Sequence, residues 1–254
     1  MRRVIFNQKG GVGKTTIVCN LAAIGASRGR RTLVIDLDSQ CNASQYLLSS
    51  GDIQATLGSA DFFESTLSFR LKSNDLNEFV TETPFKNLFV MAAHPDLDHL
   101  QVKLEARQKV AKLRQALEKL KGFDDVYIDT PPAMNFYSRS ALIAANRCLI
   151  PFDCDDFARQ ALYTLFDNIA EIQEDHNEDL QVEGIVVNQF QSRARLPRKL
   201  VEELHEEGHP VLETRLSSSV KVKESHERSI PLVYLAPQHK VTRQMQTLFE
   251  ELAR

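Results

Sequence analysis

Arg2-Arg3-Val4-Ile5-Phe6-Asn7-Gln8-Lys9-Gly10-Gly11-Val12-Gly13-Lys14-Thr15-Thr16 runs from a short apolar segment through a glycine-rich loop into the start of a helical pattern. Strand, glycine loop and helix in that order form the context that a phosphate cradle requires. Glycines let the backbone fold so tightly that successive N–H groups converge on phosphate oxygens. The N-terminus of the following helix adds its partial positive charge. In such a loop Lys14 neutralises β and γ oxygens, and the Thr15 hydroxyl ligates Mg2+. Gly10, Gly11, Val12, Gly13, Lys14, Thr15 and Thr16 are thus the residues expected to surround a bound triphosphate.

Outward from this loop, short apolar runs alternate with longer helical patterns. R-R-V-I-F-N, R-T-L-V-I-D, N-L-F-V-M-A-A, D-D-V-Y-I-D, R-C-L-I-P-F and V-E-G-I-V-V-N have the length and β-branched or aromatic content of buried strands. Helical spacing covers Thr15 to Arg28, Leu97 to Lys121, Ser138 to Ala145, Phe157 to Asp175 and Leu196 to Glu207. The repetition predicts an α/β fold with a doubly wound, mainly parallel sheet flanked by helices, as one domain over 1–254. Residues 49–87 are the least regular portion and read as short helices on the rim.

Acids stand where ligands of an open parallel sheet bind, outside the carboxyl ends of strands. Asp36 and Asp38 end one apolar run, and residues two apart on an extended chain face the same way. Asp129 ends another, before Thr130-Pro131-Pro132, and supplies a carboxylate of the Walker B kind for magnesium. The two prolines fix the chain after it, which suits a switch segment.

Two departures from the common P-loop pattern refine the class. The glycine wanted six residues before Lys14 is replaced by Gln8, and a second lysine, Lys9, stands at the loop entrance. Lys9-Gly10-Gly11-Val12-Gly13-Lys14-Thr15-Thr16 resembles the deviant Walker A motif of the ParA/MinD family of P-loop ATPases. The resemblance implies that Lys9 reaches across a dimer interface to the partner's phosphates, so that ATP binding makes a homodimer. Asp36-Leu37-Asp38-Ser39-Gln40-Cys41-Asn42 resembles the family's D-L-D-P-Q-G-N stretch. By that likeness Asp36 supports the magnesium shell and Asp38 positions the attacking water, with Lys9 and Lys14 completing the catalytic set. Ser39 and Cys41 replace proline and glycine; cysteine tolerates positive φ poorly, which bears on the hydrolysis rate more than on ATP binding.

The likeness continues through Asp129-Thr130-Pro131-Pro132, Ser140 to Asn146 and Ile185-Val186-Val187-Asn188. It implies that Asn188 faces the adenine base, a buried turn asparagine being the alternative. The chain begins only a few residues before its first strand, so it resembles the short ParA form without a helix-turn-helix domain. Val241 to Arg254 has helical spacing but a mixed polar face, unlike a membrane-binding helix, and is expected to pack on the domain. Arg193, Arg195, Arg198 and Lys199, with Lys221 and Lys223, form a candidate patch for sequence-independent DNA phosphate contacts. A solvated face is the alternative there, because Glu202, Glu203, Glu206 and Glu207 follow.

Composition fits this reading. The 254 residues carry 43% hydrophobic and 26% charged residues, enough for a large core. A formal net charge of -3 limits any nucleic-acid contact to a local patch. The four cysteines lack zinc or disulfide spacing, and no apolar run reaches the length of a membrane span. The resemblance implies a cytoplasmic, nucleoid-associated switch that uses ATP and Mg2+, partitions or positions a DNA or protein cargo, and is stimulated by a ParB-like or other adaptor. The competing readings are a metabolic amidase or ligase of the same lineage and a nucleotide-dependent binding module with negligible hydrolysis.

Overall fold

The apolar runs become strands of one eight-stranded sheet in a computed structural model that describes residues 1–48, 56–68, 75–153, 158–190 and 195–253. The strands are β1 (Arg2–Ile5), β2 (Thr32–Asp36), β3 (Thr81–Glu82), β4 (Leu88–Met91), β5 (Asp125–Asp129), β6 (Arg147–Asp153), β7 (Gln181–Asn188) and β8 (Val211–Arg215). Their spatial order is β3-β4-β2-β5-β1-β6-β7-β8, parallel throughout except for the antiparallel β3–β4 pair. All six strands read from the sequence are present.

Alternation within the strands builds two cores. Val4, Leu33, Ile35, Val126 and Ile128 face one side, while Ile5, Val34 and Tyr127 face the other. The second side is covered by α1 (Lys14–Ser27) and α2 (Asn42–Leu47). The first is covered by α3 (Ser59–Leu67), α4 (Leu97–Ala106), α5 (Lys112–Lys119), α6 (Phe136–Ala144), α7 (Ala158–Asp175) and α8 (Arg195–Glu206). The chain then forms α9 (Val220–Glu227), α10 (Leu232–Leu235) and α11 (Lys240–Glu251), which return to the α1 side. This enclosure explains why α1 is apolar nearly all round: it is a buried helix rather than a surface one.

Three differences from the sequence reading have local causes. The helical pattern from Leu97 to Lys121 is two helices, because Gln108 adopts φ 51° and the Lys109 amide bonds back to the Leu104 carbonyl at 3.0 Å. That is a Schellman termination with glutamine where glycine is usual. Strand β8 was not expected, and its burial alternates with exposure at the sheet's edge. The rim segment contains α3, a 3-10 turn at Leu76–Phe79 and β3, while 49–55 and 69–74 lie outside the described residues.

The C-terminal pattern packs on the domain as expected. Val241, Met245, Leu248 and Phe249 are buried, and the Phe249 ring fits beside Gly25, where an added Cβ would stand 3.3 Å from it. Glu251 accepts the amides of Glu213 and Thr214 on the edge strand at 2.8 and 3.1 Å. Among the described residues no helix is long and apolar enough to cross a membrane. Leu248 is fully buried. Leu248→Ala is therefore expected to cost about 2–5 kcal/mol in urea unfolding, whereas Glu250→Ala, which breaks only an exposed pair with Arg28, should cost at most about 1 kcal/mol.

Candidate nucleotide site

Register places the acids. Ile5 and Asp36 both stand level with Asp129, so β1, β5 and β2 end together, and the glycine loop rises from the first of them beside the two carboxyls. The strand order on either side of β1 runs in opposite directions along the chain, which is the crevice position for ligands in such sheets.

The loop is held by its own neighbours. Asn7 donates to the Pro151 carbonyl at 2.7 Å and accepts from the Lys9 amide at 2.9 Å, tying the loop entrance to β6. The Lys14 ammonium folds back onto the Lys9 carbonyl at 3.0 Å. Gly13 caps α1 at φ 89°, and an added Cβ would stand 2.3 Å from Asn188 Nδ2. Both facts require glycine there. Asn188 donates to the Val12 carbonyl at 2.8 Å, and Gln189 donates to the Gly11 carbonyl at 3.1 Å. Asn188 thus braces the loop's backbone. Ile17 makes the first helical bond, to Gly13, so the amides of Lys14, Thr15 and Thr16 have no partner within the helix.

The acids divide the work between them. Thr15 Oγ1 donates to Asp129 Oδ2 at 2.7 Å, and the Thr130 amide donates to the other oxygen at 3.2 Å. The Thr130 hydroxyl bonds to the Ile5 carbonyl at 2.9 Å, which fixes the turn after β5. Asp36 accepts from the Ser44 amide, the Ser44 hydroxyl and the Asp38 amide at 2.9, 2.7 and 3.1 Å. It is therefore the brace of the loop from Asp38 to Ser44. Asp38, just beyond the end of β2, is also buried and accepts from the Gln40 amide at 3.0 Å.

Charge in this crevice is unbalanced toward the negative. Burial pushes the Asp129 carboxyl up to about 8 and the Asp36 carboxyl up to about 6, with the neighbouring carboxylates adding to the effect. Burial lowers Lys14, against the attraction of Asp129 and Asp38. The donor chemistry of this set suits a divalent cation, which Thr15 and Asp129 would hold with Asp36 in support. Among the described residues there is no cluster of three or more His, Cys, Asp or Glu able to hold a metal alone. Mg2+ is held by one or two protein ligands together with phosphate oxygens in nucleotide sites.

Cys41 keeps the geometry that glycine would give, at φ 57° and ψ 27°. Its thiol is buried, points to the Ser39 carbonyl at 3.3 Å, and is pushed up to about 12 by burial and by Asp36 and Asp38. The loop shape is retained despite the side chain, at a steric cost of about 1–2 kcal/mol.

The candidate basic residues fall on separate helices. Lys199 pairs with Glu203 at 3.4 Å on α8, Lys221 pairs with Glu224 at 2.5 Å on α9, and Lys223 is exposed. Arg193 lies outside the described residues, as do the side chains of Arg195 and Arg198. Lys9 is half-buried at a small cleft with Asn7, Val12, Phe152 and Asp153. Sequence reasoning missed Asn7, Ser44, Thr130 and Gln189. Only Thr130 sat inside a recognised motif.

A family model described as an AAA domain matches residues 3–182. The chain is 38% identical over 203 residues to the chromosome partitioning protein ParA of Myxococcus xanthus, covering 79% of this chain and 69% of that one. It is 29% identical over 252 residues to the sporulation initiation inhibitor protein Soj of Bacillus subtilis, covering 98% and 96%. A solved structure of cobyrinic acid a,c-diamide synthase from Mycobacterium smegmatis, with bound ATP analog and magnesium, superposes with a TM-score of 0.85 at 24% identity, covering 100% and 94%. At that identity the likeness concerns the fold.

Relief of strain and loss of a buried side chain oppose each other at Cys41. Cys41→Gly is accordingly expected to change unfolding free energy by no more than about 1 kcal/mol. Peptide-resolved alkylation of the native wild-type protein at neutral pH should leave Cys41 unlabelled until unfolding.

Proposed function

Because this chain belongs to the ParA family of P-loop ATPases, we propose that it is an ATP-driven dimerising switch that partitions or positions a cargo. The observation that carries the reading is the 2.7 Å bond between Thr15 and Asp129 at the mouth of the glycine loop. It joins the hydroxyl of a phosphate cradle to a Walker B carboxyl, which is the pairing a nucleotide–magnesium site needs. Bound Mg2+ would neutralise β and γ oxygens and hold them in line for displacement.

The chain's own groups supply the rest. The amides of Gly10 to Thr16 and the α1 N-terminus receive phosphate oxygens. Lys14, which now rests on the Lys9 carbonyl, turns to the β and γ oxygens. Asp38, buried just beyond the end of β2, accepts a proton from the attacking water and orients it. Asp36 keeps Asp38 in place through the backbone bond between them. Asn188 and Gln189 hold the loop against β7, and Asn188 marks the side on which the base would lie.

Lys9 crosses to the phosphates of a second copy in this scheme, so ATP binding and pairing are one event. The dimer then carries two copies of any basic surface, and doubling a weak phosphate-binding patch raises its avidity without new contacts. Lys221 and Lys199 are held by exposed ion pairs, weak enough for DNA phosphates to replace. Hydrolysis, stimulated by an adaptor protein, releases the pair and its cargo. The amidase and binding-module readings remain as outcomes of the tests.

Removing the water-orienting group should trap the paired state. In light scattering with Mg-ATP, Asp38→Ala is expected to run as a stable dimer and Lys14→Ala as a monomer; a monomeric Asp38→Ala protein would overturn the scheme. Lys221→Glu combined with Lys223→Glu is expected to weaken ATP-dependent binding to mixed-sequence DNA and, with two copies in the dimer, to flatten its salt dependence by about two to four in slope. Unchanged binding and slope would remove these residues from the DNA surface.

A further inference from the structure

Behind the nucleotide loop lies a circuit of polar side chains that the ATPase chemistry above does not use. His226, in the last turn of α9, places Nε2 2.8 Å from the hydroxyl of Thr16 in the first turn of α1. The imidazole lies flat on Tyr46 of α2, with ring centroids 4.2 Å apart and planes 17° from parallel. The Tyr46 hydroxyl is hydrogen-bonded to Ser225 and accepts from Asn20 Nδ2 at 3.2 Å. Asn20 in turn donates to the Thr16 carbonyl at 2.8 Å and accepts from the Leu232 amide at 2.8 Å. Ser225 donates to the Ile230 carbonyl at 2.6 Å. The path runs from Thr16 through Asn20 and Tyr46 to Ser225, passes along the chain to the adjacent His226, and returns to Thr16.

Asn20, Tyr46 and Ser225 are each no more than 2% exposed. A buried polar network with every member satisfied rigidifies the elements it joins. Here the joined elements are the helix that opens the nucleotide loop, the helix that follows the Asp36–Asp38 segment, and the helix carrying Lys221 and Lys223.

A threonine hydroxyl has one proton to give and lone pairs to receive. If the ring's Nε2 bears hydrogen, it donates to Thr16 and the hydroxyl keeps its own proton for a phosphate oxygen. If Nε2 is bare, that proton is spent on the ring. Burial lowers the affinity of His226 for a second proton, which favours the neutral ring with a single N–H. We propose that His226 is a positioning residue for nucleotide binding: its Nε2–H turns the Thr16 hydroxyl outward to the nucleotide, and the stack on Tyr46 fixes the ring for that task.

This rests on the reading of the loop as a nucleotide cradle, and it gives the cradle a mechanical outlet. Any shift of Thr16 on filling the loop is carried by one hydrogen bond into the end of α9, the helix on which the exposed Lys223 sits.

His226→Phe keeps an aromatic ring on Tyr46 and removes the Nε2 donor. In the full-length protein it is expected to raise the ATP KM, and the Kd of a nonhydrolysable ATP analogue with magnesium, about five- to tenfold. The kcat should stay within about twofold, the signature of lost binding rather than lost chemistry. Thr16→Val should give a similar loss, and the double variant should be no worse than Thr16→Val alone. His226→Gln, which restores a side-chain N–H, should recover part of the affinity. Hydrogen exchange in the nucleotide-free protein tests the contact apart from the nucleotide, and Thr16→Val should speed exchange across Val220–Glu227. An unchanged KM and Kd in His226→Phe, losses that simply add in the double variant, or exchange in Val220–Glu227 indifferent to Thr16→Val would each overturn the assignment.

Discussion

The Thr15–Asp129 hydrogen bond is the contact around which the rest of the crevice is arranged. It spans the end of β5 and the start of α1, and it exists because β1 and β5 are parallel neighbours ending at the same level. A fully buried carboxyl is costly unless it is paired, and Asp129 meets that demand with a hydroxyl, a backbone amide and the nearby lysine. The arrangement leaves the crevice short of positive charge. A site built this way is stabilised by a cation that it binds.

Around that centre, three supports keep the loop segments in place. Asn7 and Asn188 grip the glycine loop from β6 and β7, Asp36 grips the segment from Asp38 to Ser44, and Thr130 ties the turn after β5 to β1. Each uses a short polar side chain to satisfy backbone groups that a tight turn would otherwise leave without partners. This is why Cys41 can occupy a left-handed position. The Asp36 and Asp38 bonds to the surrounding backbone define the turn, and the one unfavourable residue is carried along.

The parts legible in the sequence are those whose signal is local. The glycine loop, the acids ending β2 and β5, and the six principal strands follow from short patterns with one physical meaning each. Strand β8 escaped notice because Val-Leu-Glu-Thr-Arg at an edge has neither a buried run nor a long alternation. The break between α4 and α5 was hidden because Gln108 takes a conformation that glycine normally advertises. Asn7, Ser44, His226 and Tyr46 carry no motif. Their roles come from partners between 2 and 210 positions away, and nothing in the neighbouring residues announces such pairings.

The carboxylate of Glu251, seated on the amides of Glu213 and Thr214, bears on how copies of this chain can meet. Strand β8 is one margin of the sheet, and its Glu213 and Thr214 amides are already taken; the other margin, β3, is only two residues long. Open margins are where sheets recruit further strands and grow into ribbons or fibres. With one margin partly occupied and the other so short, association between copies is steered away from lateral stacking of sheets and toward the faces formed by loops and helices.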